Sequence, residues 1–332
     1  MSRARPRGAG ERVVAHFAVT GAAGFIGSHL VDALLAEGHT VRGLDDLSTG
    51  REENLDERCD LIVGDVTDPV MVREVMRDAD GCFHLAAIAS VARANQAWVE
   101  THRVNQTGTV TVLDAARGYG RVPVVYASSA AVYGDVGTGR AHEDLLAAPL
   151  TAYGADKLAS EFHARVGFLV HRVPSMGLRF FNVYGPRQDP LSPYSGVISI
   201  FARRVGRNLP VRVYGTGEQV RDFVYVRDVV AHLLAAMSRL RSTAEVGVLN
   251  VCTGLGTSVL RLARILGEVQ GREPAIDHHD PRPGDIRVSI GDPSLARSVL
   301  GLSAGVSLRD GLSETIAYLA RDHRTAAEKA GD

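Results

Sequence analysis

Apolar positions along the chain alternate between two spacings. "VVAHFAVTG" (13–21) is a short apolar run that stops at glycine and predicts a buried strand. "FIGSHLVDALLAEG" (25–38) then places Ile26, Leu30, Ala33 and Leu34 on one helical face and stops at Gly38. "HTVRGLDD", "DLIVGD", "GCFHLAA" and "VPVVYASS" read again as strands, with helical stretches around "VMVREVMRD" and "VNQTGTVTVLDAARGYG" between them. Strand–helix alternation predicts βαβ units, hence an α/β fold with a doubly wound parallel sheet covered on both faces. After "MGLRFFNVYG" the rhythm breaks, and Pro186, Pro190 and Pro193 fall in a long polar loop. A smaller α+β lobe is therefore expected over 181–223 and 243–320, beside a first lobe over 13–180. The segment "DFVYVRDVVAHLLAAMSRL" is apolar enough that its helix, near 224–242, is expected to pack back on the first lobe. Residues 1–12 read as a disordered leader and 321–332 as a frayed tail.

Composition narrows the class. With 332 residues, 45% hydrophobic and 23% charged, the chain is ordinary globular material, and its net charge of −1 gives no reason to expect nucleic acid or a membrane surface as partner. No apolar run approaches the length of a membrane span. The basic start "MSRARPRGAGER" has no apolar core and is not a secretory signal. Cys59, Cys82 and Cys252 match no metal spacing, so no metal site is expected, and an odd count predicts reduced thiols in a cytoplasmic protein.

"TGAAGFIGSHL" sets Gly21, Gly24 and Gly27 between a strand and a helix, as a Rossmann dinucleotide site requires. The glycines allow a tight turn, close approach of backbone to a pyrophosphate, and close strand–helix packing. The helix N-terminus then offers N–H groups to the phosphates. Asp45 ends the second strand, where a carboxylate accepts ribose hydroxyls and repels a 2′-phosphate, which points to NAD over NADP; Asp46 is the bystander. Asp65, after the third strand, is placed either to bond the adenine amino group or to form an Asx turn.

Tyr153 and Lys157 in "TAYGADKLAS" stand four apart on a predicted helix and so share a face. A phenol titrates near 10, and lowering it by three units costs about 4 kcal/mol. One cation at about 4 Å supplies that much at an effective dielectric near 20. Lys157 together with an oxidised nicotinamide is thus expected to make Tyr153 a base near neutral pH.

These motifs, with "FHLAA", "ASSAAVYG", "RFFNVYGPRQDP", "GEQVRDFVYVRDV" and "PRPGDIR", resemble the extended short-chain dehydrogenase/reductase family over roughly residues 14 to 320. The nearest resemblance is to its UDP-glucose and UDP-N-acetylglucosamine 4-epimerases, to which "RQDPLSPYSGVISIF" and "IASVARA" are similar. The resemblance implies that Ser129 relays a proton between a sugar hydroxyl and Tyr153, and that Lys157 also holds the nicotinamide ribose. It implies a cofactor pocket completed by Phe25, Ile26, Val66, Leu85, Ala86 and Ala87, with Asn105 supporting it from the preceding helix. On the sugar-nucleotide side it implies Asn182, Arg221 and Arg282 at the diphosphate, Asp285 at the ribose, Arg212 and Tyr214 about the base, and Val197 as a further substrate-binding residue. Ser90, Arg93 and Ser128 would face the sugar. At Ser289 a small side chain, in place of the bulky aromatic of hexose-restricted relatives, would leave room for an N-acetyl group. Relatives of this kind commonly form homodimers through two helices of the first lobe.

Ala130 and Ala131 distinguish reactions within the family. Related dehydratases carry an Asp–Glu pair at these positions to drive elimination, and neither alanine can transfer a proton. The expected reaction is therefore 4-epimerisation of a UDP-hexose through a transient 4-keto sugar. The alternatives are a dehydratase or reductase on the same fold, or a non-catalytic dinucleotide sensor. Many epimerases have Thr where this chain has Ala131, a departure that points away from an ordinary glucose–galactose pair.

Overall fold

A computed structural model of the chain describes residues 14–188, 196–281 and 285–329. The expected leader, Pro190, Pro193, Arg282 and the last three residues lie outside the described residues. The strands are β1 (His16–Thr20), β2 (Thr40–Asp45), β3 (Asp60–Val63), β4 (Gly81–His84), β5 (Val124–Ser129), β6 (Ser175–Phe180), β7 (Asn182–Tyr184), β8 (Val211–Tyr214), β9 (Val220–Tyr225), β10 (Val246–Val251), β11 (Gly256–Ser258), β12 (Ile276–His279) and β13 (Val288–Ser289). The helices are α1 (Phe25–Ala36), α2 (Pro69–Met76), α3 (Val91–Gln96), α4 (Trp98–His102), α5 (Gly108–Gly118), α6 (Ala152–His171), α7 (Val197–Gly206), α8 (Val226–Ser242), α9 (Val259–Gln270), α10 (Ser294–Leu300) and α11 (Leu308–Lys329).

Seven parallel strands form the central sheet in the order β10-β6-β5-β4-β1-β2-β3. The order reverses between β1 and β4, which opens a crevice at the carboxyl ends of those strands. One face is covered by Leu30 and Leu34 of α1 with Leu233 and Met237 of α8, packed on Phe17, Val19, Phe83 and Val125. The other is covered by Val72 and Met76 of α2 with Val112 and Ala116 of α5, packed on Ala18, Cys82 and Tyr126. Both faces being dry explains why these strands read as apolar runs without alternation.

The second lobe has its own core, in which Phe201 and Val205 of α7 and Leu262 and Leu266 of α9 meet Val213 and Phe223. Helix α8 lies on the first lobe, and β10 follows it into the sheet beside β6. The assignment of everything beyond 243 to the second lobe is corrected accordingly. A strand that leaves a returning helix stays parallel to its neighbour, and "VGVLNV" closes the β6–α8–β10 unit; α10 also packs on this side through Ala296. The tail expected to fray continues α11 as far as Lys329.

Candidate active site

The turn after β1 is held by glycine for steric reasons. Gly21 has φ +69°, and a Cβ there would stand 2.7 Å from the Ala86 amide nitrogen. A Cβ on Gly27 would stand 2.0 Å from the Gly21 carbonyl oxygen, so α1 starts against the turn itself. Gly24 caps α1 with extended backbone and no side-chain cap, and no acidic residue stands in the first turn. The first-turn amides therefore face outward into a cradle that suits a pyrophosphate. Asp45 takes the Ala23 amide at 2.9 Å on Oδ2 and the Leu47 amide at 2.9 Å on Oδ1. Burial raises its carboxyl above the usual range, and the main-chain hydrogen bonds oppose that rise. Glycine turn, open helix end and a carboxylate at the tip of β2 together fit NAD.

Asp65 follows the turn-forming alternative. Its Oδ1 accepts the Thr67 amide at 2.8 Å, and its Oδ2 accepts from Arg103 Nη1 at 2.9 Å. With those bonds in place, Arg103 and Asp65 line the cleft as an ion pair. Nothing in the local sequence announced Arg103, which stands in a wide π turn (Arg103–Thr107) between α4 and α5. Asn105 lies in the same turn, buried behind the loop after β4. Its Oδ1 accepts the Ile88 amide at 2.8 Å and its Nδ2 donates to the Ile88 carbonyl at 3.2 Å. Both bonds pin the segment that carries Leu85, Ala86 and Ala87 along the cleft wall.

A cleft of about 710 Å³ runs from this cradle to the junction of the lobes. Gly21, Gly24, Phe25, Ile26, Gly27, Asp45, Asp65, Val66, Ser129, Tyr153, Lys157, Asn182, Arg221, Asp285 and Ser289 all line it, as do Ala130 and Ala131. Helix α6 supplies Tyr153 and Lys157. Thr151, an unforeseen part of the site, caps that helix by accepting the Gly154 amide at 3.0 Å. Ser129 ends β5, with Oγ accepting the Ala131 amide at 3.1 Å, and its influence on the Tyr153 phenol is to lower it. Lys157 Nζ stands 5.8 Å from the centre of the Tyr153 ring.

Burial dominates the electrostatics that the chain itself gives this set. Burial raises the Tyr153 phenol above its ordinary value, with the Ser129 hydrogen bond as the opposing influence. Burial brings the Lys157 ammonium down to about 8, against the neighbouring Asp156 carboxylate. Desolvation disfavours both charged forms, so the chain by itself does not lower Tyr153. His84, beneath the site, is held neutral by burial, its pKa lowered to about 3, and bonds to Thr20 and Thr109 at 2.8 and 3.1 Å.

Ser128 lines the cleft as expected, while its hydroxyl donates to Glu161 Oε1 at 2.5 Å. Arg221 and Asp285 come together as expected, but as partners, with Nη2 to Oδ1 at 2.5 Å. Ser289 lies opposite Arg221 in the β13–β9 pairing. Arg93 lines the cleft paired to Glu100 at 3.1 Å, while Ser90 accepts the Arg93 amide as the cap of α3. Ser90, Asn105, Val197, Arg212 and Tyr214 are not among the lining residues. Arg212 is exposed, and the Tyr214 ring packs 5.6 Å from that of His279. Arg282 lies outside the described residues. Among the described residues no group of three or more His, Cys, Asp or Glu side chains is arranged to hold a metal, and no helix is long and apolar enough to cross a membrane.

Comparison with known proteins agrees with this geometry. The sequence profile of the "NAD dependent epimerase/dehydratase family" matches residues 17–252. The chain is 37% identical over 308 residues to UDP-glucose 4-epimerase of Mycolicibacterium smegmatis, covering 90% of this chain and 97% of that protein. Its fold is similar to the Thermus thermophilus UDP-glucose 4-epimerase complex with NAD, with TM-score 0.84, 37% identity, and 92% and 99% of the two chains covered. It is also similar to the UDP-N-acetylglucosamine 4-epimerase of Methanobrevibacter ruminantium in complex with UDP-N-acetylmuramic acid, with TM-score 0.88, 31% identity, and 93% and 99% covered. With a glycine turn, a carboxylate at the tip of β2 and a Ser–Tyr–Lys set lining one cleft, the chain belongs to the NAD dependent epimerase/dehydratase family.

Proposed function

We propose that this protein is an NAD-dependent UDP-sugar 4-epimerase, an isomerase. The observation that carries the reading is a Ser129–Tyr153–Lys157 set whose neighbours on the cleft wall are Ala130 and Ala131. Tyr153 takes the C4 hydroxyl proton, with Ser129 bridging hydroxyl and phenol, and returns it when the other face of the carbonyl is reduced. Bound NAD supplies a hydride acceptor that gives the hydride back. Elimination would need an acid–base pair beside the ring, and two methyl groups cannot provide one. Of the other acids of the cleft, Asp65 is occupied by Arg103, Glu100 by Arg93 and Asp285 by Arg221, while Asp45 and Asp46 hold backbone amides at the end of β2. Incubation with UDP-glucose, UDP-N-acetylglucosamine and a UDP-uronate, followed by NMR, tests the assignment. Inversion at C4 without net redox change is expected; loss of water or carbon dioxide from the sugar would replace it with a lyase.

The Arg221–Asp285 pair is assigned to the nucleotide, Arg221 at the diphosphate and Asp285 at the ribose, with Asn182 beside them. Ser289, next to Arg221, is assigned to the sugar end as the residue that admits an N-acetyl group. Ser289→Tyr is expected to lower kcat/KM for UDP-N-acetylglucosamine about 10-fold more than for UDP-glucose, the range in which pockets discriminate by bulk. Equal losses on both substrates would remove Ser289 as the gate.

The exposed face of α6 supports a homodimer. Phe162, Val166, Leu169 and Val170 are 59%, 51%, 55% and 65% exposed along one side of the helix, next to α5. A contiguous apolar stripe of this kind marks an interface, and a second copy of the chain would cover it. Sedimentation is expected to give twice the 35.5 kDa chain mass, and Val166→Glu to halve it. A wild-type monomer would end the proposal. A cytoplasmic location accords with three buried free thiols, and cell fractionation checks it.

A further inference from the structure

Beneath the catalytic serine lies a buried ion pair that the reaction itself does not use. Glu161 receives Arg179 in fork geometry, Nε to Oε1 at 2.9 Å and Nη2 to Oε2 at 2.7 Å, with both side chains buried. Ser128 donates to the same Oε1 at 2.5 Å. Ser128 and Arg179 are direct partners across β5 and β6, so two neighbouring strands converge on one carboxylate of α6. Glu161 stands four residues beyond Lys157 and eight beyond Tyr153, on the same stripe of that helix. Arg179 reaches further. Its guanidinium lies 4.8 Å from the centre of the Tyr133 ring, just past the turn of Ala130 and Ala131, and Tyr133 donates to Asn250 Oδ1 at 2.7 Å.

A buried ion pair is a poor way to stabilise a fold, because well-packed apolar side chains of similar volume do as well or better. What it does provide is direction. The fork sets the angle between α6 and the β5–β6 pair, and Ser128 ties the last residues of β5 to that angle. We propose that Glu161 and Arg179, through Ser128, are positioning residues that set Ser129 against Tyr153 for proton transfer. The inference rests on the epimerase reading, and the wild-type assay run alongside reports separately on the reaction itself.

Two variants of the NAD-loaded enzyme test it. Ser128→Ala removes one hydrogen bond and leaves the ion pair whole. Its kcat is expected to fall about 10-fold while KM for the nucleotide sugar stays within about two-fold, since displacement on the ångström scale costs rate before it costs binding. Glu161→Leu/Arg179→Met replaces the pair with apolar volume. It is expected to keep bound NAD and an unfolding temperature no lower than wild type, yet remain about 10-fold slow in kcat. A Ser128→Ala enzyme with wild-type kcat, or one in which only KM rises, would overturn the proposal, as would a folded double variant at full speed. Should the double variant fail to fold, Ser128→Ala decides alone.

Discussion

Tyr153→Phe is expected to lower kcat on the order of 10³-fold while leaving NAD content and nucleotide-sugar binding near wild type. The substitution keeps the ring that lines the cleft and removes only Oη, the atom proposed to take the proton. No other group in the described cleft can stand in. The carboxylates Asp65, Glu100 and Asp285 are committed to arginines, Asp45 and Asp46 hold backbone amides at the end of β2, and His84 is buried beneath the site with both ring nitrogens bonded to threonines. The measurement is kcat by NMR of the product sugar, with bound NAD read from absorbance and substrate affinity from titration calorimetry. Retention of more than about a tenth of wild-type kcat would assign the proton to another group, since general base catalysis is worth at least 10²-fold.

The same residue shows where sequence reasoning meets its limit. Spacing alone put Tyr153 and Lys157 on one helical face, and a Coulomb argument had Lys157 together with an oxidised nicotinamide lower the phenol. Geometry agrees with the placement, but burial works against both charges, raising Tyr153 and lowering Lys157 to about 8. Counting a neighbouring charge is possible from sequence; counting lost solvent is not. The chain's own groups leave the phenol raised, so the expected lowering rests on the oxidised nicotinamide that the Coulomb argument pairs with Lys157.

Other parts divide along the same line. Features set by local rules were legible: strands ending at glycine, the Gly21–Gly24–Gly27 turn, Asp45 at the tip of β2, and the α6 stripe. Features set by long-range side-chain pairing were not. Arg103 meets Asp65 from 38 positions away, Ser128 meets Glu161 from 33, and Arg221 meets Asp285 from 64. In each case the sequence shows a polar residue free to serve a ligand, and the fold shows a partner already in reach. Strand β10 was assigned to the wrong lobe for a related reason, since only the packing of α8 decides where it lies.

Gly27→Ala is the other substitution with a large expected effect, and it acts on the cofactor without touching the chemistry. Its new methyl carbon would stand 2.0 Å from the Gly21 carbonyl oxygen, 2.9 Å from the Gly21 carbonyl carbon and 3.0 Å from Ala22 Cα, all of them backbone. No side-chain rotation relieves such a contact, so α1 must withdraw from β1. Leu30 and Leu34 on its inner face would be pulled from the core, at about 1–3 kcal/mol for overpacking of this kind. Withdrawal also moves the first-turn amides away from the pyrophosphate, the cofactor group that most depends on close backbone approach. Purified Gly27→Ala protein is expected to hold at least about 10-fold less NAD than wild type, the consequence of losing about 1.4 kcal/mol or more of binding. Gly118→Ala is the matched control. It lies at the end of α5 with nothing within 4 Å of the added carbon, and is expected to leave NAD content unchanged. Wild-type NAD content in Gly27→Ala would mean that the β1–α1 turn is not the cofactor cradle.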